Sequence, residues 1–199
     1  MNTMKTKTIL ISAIFAIVLI AGFSQAINAQ NRLVLAKAEN ITGDKFGVSA
    51  KTPKGAFVYA VNKPSAAVLN AIDKGLTDLF AVAKKNKYST RLNYSDYSVF
   101  IAKADRTKDS SGKYSPDIAV PAGQYAGSDY DQGGFIYAAG MVIAYTPCAF
   151  LIAEHTKDLN RVSHVVRYEG EHLVLYHNDR KRYNETADHS KGGGHPILQ

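Results

Sequence analysis

The run Arg161-Val-Ser-His164-Val-Val-Arg-Tyr168-Glu169-Gly-Glu171-His172-Leu-Val-Leu-Tyr176-His177-Asn-Asp179 decides how the chain is read. Val162, Val165, Val166, Leu173 and Tyr176 recur at helical spacing, which predicts a helix from about Leu159 to Tyr176. Residues three and four apart share a helix face. Tyr168 and His172 are then neighbours, as are Glu169 and His172, and His164 lies one turn before Tyr168. His177 falls about 140° round from His172 and joins that face only if the helix ends at Tyr176.

Working outward, Val68, Leu69, Ile72, Leu76, Leu79, Phe80 and Ala83 mark a second and clearer amphipathic helix. Pro64 suits its first turn, and Lys84-Lys85-Asn86-Lys87 places cations at its C-terminal end. Short apolar runs at Leu33–Leu35, Ala56–Val61, Tyr97–Lys103, Phe135–Tyr145 and Cys148–Ala153 read as strands, with Pro147 dividing the last two into a hairpin or two adjacent strands. Asp105 to Gly134 is polar and reads as a long loop, and the tail from Asn184 to Gln199 reads as irregular. The expected fold is a single α+β domain, with a mixed or antiparallel sheet packed against two main helices.

The first 29 residues read as a cleavable export signal. Lys5 and Lys7 precede the apolar run Ile9–Gly22, and cleavage can follow Ala26 or Ala29, the second placed before the polar Gln30-Asn31. That run is shorter than a membrane span needs. The expected product is a secreted or periplasmic chain of residues 30–199 that has no membrane contact after cleavage. The whole sequence carries 24 Lys and Arg against 17 Asp and Glu, a formal charge of +7. Removal of Lys5 and Lys7 lowers this to +5, too diffuse to favour a nucleic-acid partner. Its one cysteine, Cys148, excludes an internal disulfide and a four-thiolate metal site. Cys148 lies in an apolar strand and reads as a small buried hydrophobe rather than a nucleophile. No glycine loop is placed to cradle phosphate, because Gly133-Gly134 precedes a strand and Gly192-Gly-Gly194 precedes Pro196.

Histidine distribution is the strongest compositional signal. All six fall between His155 and His195, in the C-terminal region 155–199. Imidazoles and carboxylates held at fixed helical spacing, completed by a ligand from elsewhere, are how zinc sites are assembled. His172 and His164 supply such groups from the helix, and His189 or His195 supplies one from a tail able to fold back over it. Tyr168, Glu171, His177 and Asp179 are further candidates. A nuclease built on His177, Asn184 and His189, with Arg180-Lys-Arg182 on phosphates, has no defensible spacing.

Tyr168-Glu169-Gly170-Glu171-His172 resembles the His-Glu-x-x-His motif of zincin metallopeptidases, with tyrosine in place of the first histidine. The resemblance implies a zincin-like scaffold and a Zn2+ cofactor. It implies His172 as a ligand, Glu169 as the catalytic general base, and a peptide or protein substrate. Tyr168 occupies the place of the missing ligand, and a phenol with its ordinary pKa near ~10 binds zinc only with strong help from the metal. The alternative is a non-catalytic secreted binding protein on the same scaffold, its histidines forming a structural network. Tyr114, Tyr125 and Tyr130, in the long polar stretch, are candidates for a substrate rim. Oligomeric state has no sequence signal.

Overall fold

The computed structural model describes residues 31–103, 118–121, 135–138, 140–155, 157–188 and 193–198. Its central element is a five-stranded mixed sheet in the order β1-β2-β3-β7-β6. The strands are β1 (Val48–Lys51), β2 (Phe57–Ala60), β3 (Tyr97–Ala102), β6 (Gly140–Ala144) and β7 (Cys148–Ala153). β2, β3 and β7 run parallel, and β1 and β6 are added antiparallel at the two edges. A separate antiparallel pair joins β4 (Ile118–Pro121) to β5 (Phe135–Ala138).

Helix α2 (Ala66–Lys85) forms the crossover between β2 and β3, and α3 (Leu159–Asn178) follows β7. Both pack on one face of the sheet, where Val99, Ile101, Cys148, Phe150 and Ile152 meet Ile72, Leu76, Val162 and Val166. Helix α1, over 31–42, covers the other face through Val34, Ala38 and Ile41 against Phe100, Met141 and Leu151. Covered on both sides, β3 and β7 are buried along their whole length. Their side chains alternate between the two cores, as the period of two requires.

α2 and α3 cross closely because two glycines remove side chains from the contact. A Cβ on Gly75 would lie 2.5 Å from the backbone oxygen of Ser163, and one on Gly170 would lie 2.5 Å from Cδ2 of Leu79. Gly170 inside the Tyr168–His172 motif therefore answers a packing demand.

The expected α+β architecture and its mixed sheet are present, with several local corrections. Leu33–Leu35 is helical, since Val34, Ala38 and Ile41 form a stripe at helical spacing. Pro64 precedes the first turn, because Ser65 is the N-cap and its side chain accepts from the Val68 N–H at 3.2 Å. Phe135–Tyr145 holds two strands that belong to different sheets, and the polar stretch before it contains β4. α3 continues two residues past Tyr176, and a further helix α4 (Arg180–Thr186) runs into the tail expected to be irregular. Asp179 explains that helix: its carboxylate accepts from the Arg182 N–H at 3.0 Å and caps it.

Candidate functional site

The faces of α3 are assigned by what they touch. Ser163, Val166 and Gly170 meet α2. Val165 and Glu169 meet Gly140 at the start of β6, where a Cβ would lie 2.6 Å from Val165 and 2.7 Å from Cγ of Glu169. Tyr168, Glu171 and His172 meet the tail segment 193–198, which folds back along the helix.

Glu171 anchors that tail. Its side chain is fully buried (0% exposed), with Oε1 accepting from the Ile197 N–H at 3.0 Å. Oε2 faces Nδ1 of His195 at 3.3 Å, an ion-pair separation. The His195 ring lies 4.8 Å from that of His172 and 4.4 Å, edge-on, from that of Tyr168. Tyr168 in turn stacks on His164 at 5.4 Å with the planes 6° apart. Four rings thus run in sequence along one side of α3, with a buried carboxylate behind one of them.

A carboxylate beside one ring nitrogen favours the proton there and leaves the other nitrogen with its lone pair. Oε2 of Glu171 lies at ion-pair distance from Nδ1 of His195 without hydrogen-bond alignment, so a small turn of the ring would bring the two into such a contact.

Glu169 has a different environment. Part of the residue reaches the surface, but the atoms packed round its carboxyl strip water from the charged form. Burial pushes its pKa up to about 8.

The remaining candidates have other partners. His177 donates from Nε2 to the Tyr145 carbonyl at 2.7 Å, tying α3 to the β6–β7 turn. Tyr145 also stacks on Tyr176 at 4.0 Å and hydrogen-bonds the Tyr183 hydroxyl, closing an aromatic cluster over which Arg180 lies. His164 is exposed, with its Nε2 3.4 Å from Arg167 Nη2. Asp179 caps α4 and accepts from the Tyr88 hydroxyl at 3.1 Å, and the Arg182 backbone N–H holds its carboxyl below the ordinary carboxylate range. His155 accepts from Arg161 Nε at 3.1 Å. Tyr114, Tyr125, Tyr130 and His189 lie outside the described residues.

The structure therefore brings together His172, His195, Tyr168 and Glu171, with Glu169 on the adjoining face of α3. Among the described residues, no three His, Cys, Asp or Glu side chains converge closely enough to hold a metal ion. Two imidazoles with a carboxylate behind one of them supply part of a zinc donor set, and the phenol oxygen of Tyr168 is the neighbouring donor of another type. Sequence reading ranked Glu171 only as a further candidate. Its signal was position: Gly170 and Leu173-Val-Leu175 surround it with nonpolar residues, so a charge there needs a buried partner. No family model, curated protein or solved structure matches the chain.

Proposed function

We propose that this is an exported, zinc-dependent hydrolase of peptide-like bonds, built on a zincin-like arrangement of sheet and motif-bearing helix. The observation that carries this reading is the Glu171 carboxylate behind His195, whose ring packs beside that of His172. His172 and His195 would hold the metal as imidazole donors, with Tyr168 beside them. Bound there, zinc would polarise the carbonyl of the scissile bond and lower the pKa of water.

The residues of the chain have distinct tasks in this account. Glu171 fixes the tautomer and direction of His195 while holding the tail on α3. Glu169, with its proton affinity moved toward neutrality, takes a proton from the attacking water and returns it to the leaving amine. Gly140 leaves room for that carboxyl. Export rests on the charged and apolar leader.

The test is hydrolysis of a fluorogenic peptide library by zinc-loaded protein. Activity that a chelator removes, and that Glu169→Gln abolishes with zinc still bound, supports the assignment. Full activity in Glu169→Gln removes Glu169 from the base role.

A second reading is favoured by the partners of His177, His155 and His164, each met by a carbonyl or an arginine. In it the histidines are structural, Glu171 and His195 form a clasp for the tail, and the protein binds without catalysis. Zinc-loaded protein that cleaves no peptide while its tail stays ordered supports this reading.

A further inference from the structure

The cleft at the other end of α3 has a separate chemistry. The three parallel strands end side by side at Ala60, Ala102 and Ala153, where the Val61 N–H bonds the Ile101 carbonyl and the Glu154 N–H bonds that of Ala102. In sheets with parallel strands, the crevice outside the carboxyl ends is where ligands bind. Here it opens into a cleft of about 180 Å³. That volume compares with the roughly 150 Å³ engineered cavity that admits benzene, so the fitting ligand is small.

The floor is apolar, made by Ile101, Ile152 and Val162, all nearly inaccessible to water. The rim is polar and carries both signs of charge. Lys63 and the Ser65 cap of α2 lie on one side; Glu154 lies on the other with its carboxylate oriented by Asn62 Nδ2 at 2.9 Å, next to His155, whose Nε2 is already taken by Arg161 Nε at 3.1 Å. An uncharged apolar ligand would leave both charges unmatched, and a simple anion would meet Glu154. An α-amino acid zwitterion with a short branched side chain satisfies all three features.

We infer that this cleft binds a small apolar α-amino acid. Its carboxylate is held by Lys63 in the segment before α2, its ammonium by Glu154, and its side chain by Ile101, Ile152 and Val162. The cleft uses none of the residues assigned to hydrolysis. Val162 and His172 are ten residues apart on α3, a rise of about 15 Å.

L-Leucine is the probe, titrated into the full mature chain with isoleucine and valine methyls observed by NMR. Saturable shifts of the Ile101, Ile152 and Val162 methyls are expected within the millimolar range. Lys63→Ala and Glu154→Gln, both at the rim, should each weaken leucine by about tenfold, the scale of one charged hydrogen bond. 4-Methylpentanoate, which is leucine without the ammonium, should bind more weakly than leucine to the original protein. Absence of methyl shifts overturns the inference. Equal binding of 4-methylpentanoate and leucine, or Glu154→Gln binding unchanged, overturns the zwitterion assignment.

Discussion

The carboxylate of Glu171, in the middle of α3, faces the imidazole of His195 across 3.3 Å although 24 residues separate them in sequence. With the Ile197 N–H on its other oxygen, Glu171 joins the end of the chain to the helix that carries the motif. The folded-back tail thereby sets the His195 ring beside those of His172 and Tyr168.

Removing that carboxylate should release the tail. Glu171→Ala leaves the Ile197 N–H and the His195 ring without their acceptor in a buried setting, a loss of about 2–4 kcal/mol. Urea denaturation should show that loss, and limited proteolysis should cut first within 187–198. Glu171→Gln, which keeps an acceptor for Ile197, should fall between Glu171→Ala and the unsubstituted protein.

Glu169 gives the fold a pH dependence in the metal-free protein. Its carboxyl is raised from the ordinary value of 4.5 to about 8, so in that window the folded state retains a proton the unfolded chain has lost. Stability attributable to Glu169 is fullest at low pH, falls as pH rises from about 4.5 to 8, and is level above. Glu169→Gln should remove that slope and raise stability at pH 9 by at least about 1.4 kcal/mol, the equivalent of one pKa unit. Denaturation at pH 5 and pH 9 with a chelator present measures it; an unchanged slope contradicts it.

Two alanine substitutions should separate rigid from yielding contacts between α2 and α3. At Gly75 the new Cβ meets backbone oxygen, and at Gly170 it meets the end of the Leu79 side chain. Gly75→Ala must part the helices and should cost about 2–3 kcal/mol net, despite roughly 1 kcal/mol of better helix propensity. Gly170→Ala should cost less, as Leu79 changes rotamer. Thermal melts of the two variants give the order.

The Cys148 thiol is buried and its pKa is pushed up to about 12. At pH 8 it should not react with a disulfide reagent in the folded protein and should react fully in denaturant, so labelling reports global opening. Rapid labelling under native conditions would contradict the placement of β7.

Much of this architecture is legible in the sequence, and the exceptions have physical causes. α2 is plain because its apolar positions are large and bounded by Ser65 and Lys84-Lys85. α1 is not, because its buried stripe is only Val34, Ala38 and Ile41, and the adjacent Leu33-Val-Leu35 imitates a strand. Strand positions follow from apolar runs, but the parallel pairing of β2, β3 and β7 depends on crossovers that local patterns do not encode. At the site, helical spacing pairs Tyr168 with His172 in advance. The selection of His195 depends on the long-range contacts to Glu171; the nonpolar neighbours of Glu171 hint at its burial, but no local pattern names the partners it meets there.

Zinc content tests the central claim most directly. The chain from residue 30 onward should be loaded with zinc, dialysed and assayed by mass spectrometry for metal per chain. About one zinc per chain is expected, lost in both His172→Ala and His195→Ala and weakened roughly 10- to 100-fold in Glu171→Gln. Zinc well below one per chain, or unchanged in both histidine variants, would contradict it.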